Sequence, residues 1–408
     1  MKVLHINTSD SSGGAAIAAF RLHTEMLNQG IDSFFFCLNR TFNDNERVFS
    51  IGNFLKFRSR TIDVFKRHFF YKQLTSKKGL FSKVSIGHSC RNEIDYKNYD
   101  IIYIHWVNNG FLNFQGIEEI LKSEKKVFWF MHDMFPITGG CHQSFECSKY
   151  INQCNECPYL KKNFYYDLAK KQFNTKVRLF SKYKNLSFIT PSNWLFECTK
   201  KSYIAQNHNV YCIPNLLDTT IFFKFDKLTC RKIYNISPEK KVILFGADSA
   251  LTNPYKGFDF FMDALQILNK KESVNNKEIE IVLFGSSYNQ KIDKMIPFQT
   301  KFIGYLHDNY SLAMLYNSAD VFCIPSLADN FPNTILEAIN CKLPVVGFNV
   351  GGIPDMVNRN SGYLAEYKNS MDLAVGIETI LNCKHEYHFD VLENLNTKKI
   401  IDKHKALW

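Results

Sequence analysis

The chain has 408 residues and 45% of them are hydrophobic, which predicts a globular protein with two domains, each with its own core. Its 50 Lys and Arg against 39 Asp and Glu give a formal net charge of +11, which favours anionic partners such as nucleotide phosphates, nucleic acid or an acidic membrane surface. Residues 1–7 do not resemble a signal peptide and no apolar run is long enough to span a bilayer, so we expect a cytoplasmic protein.

The first half of the chain alternates predicted strands and helices. A helix opens at Gly13-Gly14-Ala15-Ala16, continues to about residue 28 and stops at Gly30. Short apolar runs that predict strands occupy residues 2–7, 31–38, 101–105, 126–131 and 186–190. Runs this apolar are typical of strands that are covered on both faces, and therefore of a parallel sheet.

The second half repeats this alternation. Strands are predicted at residues 241–246, 279–285, 320–325 and 344–348, and helices at residues 257–269, 310–318 and 333–340. The fold class is therefore α/β, with two doubly wound Rossmann-like domains at residues 1–213 and 214–384. The predicted join lies at Ile213-Pro214-Asn215, where Pro interrupts a strand. Residues 385–408 form a polar tail, which we expect to be helical and to pack back on the first domain.

A polar loop after one predicted strand introduces two carboxylates. Asp329 lies in this loop, and Glu337 lies in the first turns of the following helix with seven residues between them. Ligands of open α/β sheets bind outside the carboxyl ends of the strands, so both side chains can face one crevice. A carboxylate accepts hydrogen bonds from two hydroxyls at once, which suits the vicinal diol of a ribose or a sugar ring. The alternative is a carboxylate that only complements the dipole of its helix.

Other motifs in the second half complete a recognisable order. They are Lys256-Gly257 at a predicted helix start, Pro344-Val345-Val346-Gly347, and Gly351-Gly352-Ile353-Pro354-Asp355. A Lys at a helix N-terminus beside a strand end is a natural diphosphate site. The order resembles the donor domain of the retaining glycosyltransferases of family 4, whose GT-B architecture has two Rossmann-like domains facing a cleft. The resemblance covers nearly the whole chain and depends on the combined order of the motifs.

The resemblance implies a role for each of these residues. Glu337 would bind the ribose hydroxyls of the nucleotide, Lys256 would neutralise the diphosphate, and Asp329 would be a catalytic residue beside the transferred sugar. Asn330 and Phe331, in the same motif as Asp329, would also bind the donor. The sequence departs from the family at two points, because Asp329 stands where Glu is usual and residues 248–255 lack the family's Arg.

The first half contributes a glycine turn and two histidines. Gly13 and Gly14 allow a ligand to approach the backbone closely, and the resemblance implies that they face the donor phosphates or the acceptor. A tight turn without a ligand is the alternative. His132 matches the family's active-site His beside the reacting sugar, which implies a catalytic role. Asp133 is predicted to orient His132 or to touch the acceptor, and His105 to be an acceptor-side or structural group.

A cluster of four cysteines follows His132 in the chain. Cys141, Cys147, Cys154 and Cys157 have the spacing C-x5-C-x6-C-x2-C. In a protein without export signals this pattern predicts a structural Zn²⁺ site. Reduced thiols in a loop, or disulfides formed after exposure to oxidant, are the alternatives. We expect that catalysis requires no cofactor, since the chain has no Asp-x-Asp motif to hold a metal–diphosphate complex.

A basic aromatic segment lies at residues 54–83. It contains nine Lys and Arg against one Asp, with Phe and Tyr interleaved among them. This combination predicts contact with an anionic membrane surface. Nucleic acid is not expected as a partner, because no nucleic-acid-binding module accompanies the segment. A solvated basic helix that packs its Phe side chains into the domain is the alternative.

The motifs and the resemblance together predict a glycosyltransferase. We expect it to move a hexose-type sugar from a nucleotide-diphosphate sugar to a glycan or lipid-linked glycan acceptor, with retention of configuration. Surface polysaccharide biosynthesis, at the inner face of the membrane, is the expected setting. A nucleotide-sugar 2-epimerase of the same fold and a non-catalytic glycan- or nucleotide-binding module are the alternatives.

Overall fold

The computed structural model describes residues 1–42, 46–52, 57, 68, 74, 81–85, 87–161, 167–246, 251, 253–383 and 386–408. The chain divides into two compact units, of which the first is Met1–Leu216 with Thr397–Trp408 and the second is Leu217–Asn396. The boundary lies three residues after the end of the predicted first domain at residue 213. Most of the basic aromatic segment predicted at residues 54–83 lies outside the described residues.

The described residues of the first unit form a seven-stranded parallel sheet with the order β3-β2-β1-β4-β5-β6-β7. The strands are β1 (Lys2–Ser9), β2 (Asp32–Asn39), β3 (Val48–Ser50), β4 (Ile101–Ile104), β5 (Lys126–Phe130), β6 (Leu186–Thr190) and β7 (Val210–Cys212). Seven of the eight residues of β1 are buried, as expected for a parallel strand covered on both faces. The strand order reverses between β1 and β4, which places the first unit's topological switch point there.

Helices cover this sheet on its two faces. They are α1 (Gly14–Asn28), α2 (Phe114–Leu121), α3 (Leu168–Phe180) and α4 (Asn193–Lys201). The last three begin behind side-chain caps, with Asn113, Asp167 and Ser192 each accepting a hydrogen bond from a first-turn backbone N–H. Neither these three helices nor the three-residue strands β3 and β7 were predicted from the sequence.

The described residues of the second unit form a six-stranded parallel sheet with the order β10-β9-β8-β11-β12-β13. The strands are β8 (Lys241–Gly246), β9 (Ile279–Phe284), β10 (Gln299–Gly304), β11 (Val321–Ile324), β12 (Val345–Phe348) and β13 (Gly362–Ala365). The order reverses between β8 and β11, so the ligand-binding edge is expected where these two strands end. The predicted class of two parallel-sheet α/β domains is confirmed.

The helices of the second unit are α5 (Lys227–Ile233), α6 (Phe258–Asn269), α7 (Gln290–Met295), α8 (Asn309–Ser318), α9 (Asn333–Asn340) and α10 (Ser370–Asn382). The last helix, α11 (Thr397–Lys405), belongs to the first unit. His404 Nδ1 lies 3.0 Å from the hydroxyl oxygen of Tyr103, and Trp408 Nε1 donates to the same oxygen at 3.0 Å. Among the described residues, none of the helices combines the length and the apolar character that a bilayer crossing requires.

Candidate functional site

An ion pair lies at the switch point of the second unit. Lys256 Nζ donates to Asp329 Oδ2 at 2.8 Å, and the two side chains are 24% and 17% exposed. Lys256 ends a single 3₁₀ turn directly before α6, and Asp329 lies in the loop after β11. The backbone N–H of Leu327 donates to the carbonyl oxygen of Tyr255 at 2.7 Å, which joins the two segments beside the ion pair.

Two glycines allow three separate motifs to meet at this point. Gly257 has a φ of 69°, and a Cβ on it would lie 1.8 Å from the carbonyl oxygen of Pro325. Gly351 has a φ of 60°, and a Cβ there would lie 2.1 Å from the carbonyl oxygen of Asp329. The N–H of Gly352 donates to that same oxygen at 3.1 Å. The Lys-Gly, acidic and Gly-Gly motifs are therefore in backbone contact at the carboxyl edge of the sheet.

Glu337 lies on α9 and is buried, with 4% of its surface exposed. The hydroxyl of Tyr316, on α8, donates to Glu337 Oε2 at 3.1 Å. Such a bond orients the carboxylate, which can accept several hydrogen bonds because each of its oxygens has two lone pairs. Tyr316 was not recognised from the sequence, because it lies on the buried side of a helix and carries no motif of its own.

Asn330 and Phe331 are 3% and 7% exposed, and Phe331 is part of the second unit's core. Helix α9 begins behind Pro332, and no described side chain caps it. The N-terminal amides of a helix carry partial positive charge and bind anions. The edge therefore combines a cation, a carboxylate held by a tyrosine, and a helix N-terminus, which together suit a nucleoside diphosphate.

The glycine turn of the first unit lies at the switch point beside β1. Gly13 has a φ of 87°, and a Cβ on it would meet nothing within 4 Å. Gly14 begins α1, which has no side-chain cap among the described residues and no acidic residue in its first turn. Ser9 Oγ accepts hydrogen bonds from the N–H groups of Ser11 and Ser12 at 3.3 and 3.1 Å. Ser9 thus fixes the turn, and the space next to Gly13 is open, as expected of a turn that binds an anion.

His132 follows β5 and is half-buried. Its Nε2 lies 3.0 Å from Nδ1 of His105, and His105 Nε2 lies 3.0 Å from Nδ1 of His5. Burial lowers the pKa of His132 to about 4, although Asp133 acts in the opposite direction. All three rings are therefore neutral near pH 7, since burial also holds the pKa values of His5 and His105 well below the ordinary range. Both ring nitrogens of His105 therefore contact neighbouring histidines rather than solvent.

Both carboxylate oxygens of Asp133 form hydrogen bonds within the first unit. Its Oδ2 lies 2.5 Å from His142 Nδ1 and accepts from Trp106 Nε1 at 3.0 Å, while its Oδ1 accepts from the N–H of Phe135 at 2.8 Å. Burial alone would raise the pKa of Asp133, but His142 and the hydrogen bond from the N–H of Phe135 hold it below its usual value. His142 Nε2 also lies 2.8 Å from Ser82 Oγ. Since His142 directly follows Cys141, its contact with Asp133 anchors the loop that contains the cysteine cluster.

The four clustered cysteines are free thiols. The N–H of Gly139 donates to Cys154 Sγ at 3.2 Å, and burial raises the pKa values of Cys154 to about 12 and Cys157 to about 11. No group of three or more His, Cys, Asp or Glu within the described ranges is placed to hold a metal ion. The four sulfurs thus do not form a ligand set in this structure, and zinc at the cluster stays a prediction.

Solved structures share the fold of the whole chain. Sucrose-phosphate synthase from Thermosynechococcus elongatus superimposes with a TM-score of 0.66 at 15% identity, over 100% of this chain and 98% of that one. Anabaena Alr3699/HepE in complex with UDP and glucose gives a TM-score of 0.62 at 14% identity, over 100% of this chain and 99% of that one. The chain has the GT-B fold of glycosyltransferases.

Residues 240–383 match the model of the family described as Glycosyl transferases group 1. The chain therefore carries a group 1 glycosyl transferase domain, which contains Lys256, Asp329 and Glu337. The putative colanic acid biosynthesis glycosyl transferase WcaC of Escherichia coli is 21% identical over 89% of this chain and 86% of its own length. Alignments with three other curated relatives span only 36%, 55% and 40% of the lengths of those proteins.

Proposed function

We propose that this protein transfers a hexose-type sugar from a nucleotide-diphosphate sugar to a glycan acceptor. The observation that carries the proposal is the contact of the Lys256, Asp329 and Gly351-Gly352 segments at the switch point of a group 1 glycosyl transferase domain. The presence of UDP and glucose in the structure of HepE supports this class of donor.

In this proposal each residue acts on a different part of the donor. Glu337, oriented by Tyr316, accepts hydrogen bonds from the ribose hydroxyls. Lys256 stabilises the charge that develops on the diphosphate as it leaves, which is the step where fixed charges contribute most. Asp329 holds the ammonium of Lys256 in place before the donor binds. The diphosphate then competes with Asp329 for this cation, so the ion pair sets how far the ammonium can move.

The chemical step exchanges one C–O bond for another. The bond between the anomeric carbon and the diphosphate oxygen breaks, and the acceptor hydroxyl oxygen forms the new bond at the same face of the sugar, with retention. The hydroxyl proton passes to an oxygen of the leaving diphosphate. His132, in the first unit, contributes a neutral imidazole that binds the sugar by hydrogen bonding. Its place in one site with Lys256 and Glu337 stays a prediction.

The acceptor in this proposal is a glycan linked to a lipid, used in surface polysaccharide assembly. The likeness over most of both chains to WcaC, which is named for colanic acid biosynthesis, supports the role in polysaccharide assembly. The basic aromatic segment at residues 54–83 would hold the protein at an anionic inner membrane surface, in the cytoplasm.

A donor and acceptor panel tests the proposal. The wild-type chain is incubated with UDP- and GDP-linked hexoses, with and without lipid-diphosphate-sugar acceptors, and the products are resolved by mass spectrometry. We expect sugar transfer that depends on acceptor and that Glu337→Ala abolishes without loss of fold. Interconversion of the nucleotide sugar without acceptor would instead identify an epimerase. Donor binding without turnover against the full panel would identify a non-catalytic module.

A further inference from the structure

Three histidines form a line across neighbouring strands of the first unit. The strands β1, β4 and β5 are adjacent in the sheet, and His5 pairs with Tyr103, which in turn pairs with Phe128. His105 lies two residues beyond Tyr103, and His132 lies four beyond Phe128, so the period of two places these side chains on one face. Their ring planes lie within 22° and 27° of parallel, with centroids 5.3 Å apart for His5 and His105 and 5.2 Å apart for His105 and His132.

Counting protons restricts what this line of rings can do. A neutral imidazole has one N–H and one lone pair, so it can donate to one ring neighbour and accept from the other. The two N···N contacts of 3.0 Å each need one proton. Only two arrangements satisfy both contacts, with the proton on Nδ1 in all three rings or on Nε2 in all three. The tautomer of His132 is therefore coupled to that of His5.

The buried end of the line favours one of the two arrangements. His5 is fully buried, and its Nε2 has no hydrogen-bond partner among the described residues. With the protons on Nε2, this end would bury an N–H without an acceptor. With the protons on Nδ1, it buries only a lone pair. Unpaired buried N–H groups are the rarer of the two in proteins.

We propose that His5 and His105 are positioning residues that hold the proton of His132 on its Nδ1, so that this nitrogen donates to an oxygen of the bound substrate. His105 occupies Nε2 of His132, which leaves Nδ1 as the nitrogen for a ligand. The identity of that ligand as a sugar rests on the proposed function, whereas the tautomer does not. His5 acts without contact to the substrate, through His105.

The tautomer is measured directly by ¹⁵N NMR of the full chain labelled at histidine. The wild-type protein is expected to show His132 with a protonated Nδ1 and an unprotonated Nε2. His5→Phe removes the donor at the buried end and should convert His132 to a mixture or to the Nε2 form. His5→Asn restores an amide N–H near the position of Nδ1 and should restore the wild-type pattern. Assignment uses the missing signals of His132→Gln.

A matched control separates this effect from general damage to the core. His23 is also fully buried, its ring centroid is 5.9 Å from that of His5, and it bonds to Ser33 rather than to the line of rings. His23→Phe should leave the tautomer of His132 unchanged. Transfer by His5→Phe should fall by about tenfold in kcat/KM, the loss expected for one misdirected hydrogen bond, and recover in His5→Asn.

Two results would overturn the proposal. One is an Nε2-protonated His132 in the wild-type chain, which needs no variant to fold. The other is a folded His5→Phe whose His132 keeps the wild-type pattern. If the tautomer behaves as expected while no sugar transfer is found, the positioning role stands and the proposed function fails.

Discussion

Gly257 lies so close to Pro325 that a Cβ on it would be 1.8 Å from the carbonyl oxygen of that residue. This approach joins the start of α6 to the end of β11 and places Lys256 beside the acidic loop. The Lys-Gly pair therefore meets a steric requirement as well as supplying a charge, since a side chain on residue 257 would clash with the backbone of Pro325.

The variant Gly257→Ala should consequently be costly. We expect it to lower the free energy of unfolding by about 3 kcal/mol, because left-handed strain and a clash with backbone add together. Gly30→Ala is the matched control, since Gly30 also has a positive φ, of 74°, but a Cβ added to it would meet nothing within 4 Å. Its cost should be limited to about 1–2 kcal/mol of strain. Equal shifts of the two denaturation midpoints would contradict the steric argument.

The charge of Lys256 should matter for binding of a nucleoside diphosphate. Lys256→Ala is expected to weaken binding at least tenfold by calorimetry, the effect of one charge-assisted contact of about 1.5–3 kcal/mol. Lys271→Ala removes a comparable half-buried ion pair, with Glu378, away from the switch point and should leave binding unchanged. A similar loss in both variants would show that stability, not contact with the ligand, is responsible.

Tyr316 should act through Glu337. Tyr316→Phe removes the hydroxyl that donates to Glu337 Oε2, so we expect the donor KM to rise several-fold while kcat changes little. Tyr363→Phe removes a similar hydroxyl–carboxylate bond, to Asp372 at 2.7 Å, and provides the control. Unchanged steady-state kinetics in Tyr316→Phe would exclude an orienting role.

The buried histidines should make the first unit sensitive to acid. Burial lowers the pKa values of His23 and His132 to about 4 and of His404 to about 3, whereas an unfolded histidine titrates near 6.5. Between these values the unfolded chain binds more protons, so the free energy of unfolding should fall as pH falls from about 6.5 to about 4. His404→Phe should flatten this dependence in denaturation curves recorded from pH 7.5 to 4.5. An equally steep dependence in the variant would mean that other groups cause it.

Metal analysis decides the role of the cysteine cluster. The spacing of Cys141, Cys147, Cys154 and Cys157 predicts one zinc per chain. Zinc must displace protons from Cys154 and Cys157, because burial raises the pKa values of these two thiols. Cys154→Ser should lose the metal, and Cys383→Ser, at an exposed cysteine outside the cluster, should keep it. A wild-type chain produced with zinc in the medium and found to contain none would reject the site.

Several strands and one helix could be predicted closely from the sequence. Residues 186–190, 241–246 and 333–340 were assigned with the bounds that the structure has. Apolar runs and their turn signals are local, so they survive in one sequence read alone. The short edge strands β3 and β7 have three residues each, too few to show any period. The Lys-Gly, acidic and Gly-Gly motifs could be found for the same local reason.

By itself, the sequence determined the two α/β units and identified the Lys-Gly, acidic and Gly-Gly motifs of the second unit, because hydrophobic period and motif order are encoded along the chain. Only the tertiary structure decided that His5, His105 and His132 touch, that Tyr316 holds Glu337, and that Tyr103 contacts His404. These contacts join residues as far apart as 301 positions, as between Tyr103 and His404, and depend on which strands lie side by side. That lateral order follows from burying the whole core at once, which no local pattern expresses.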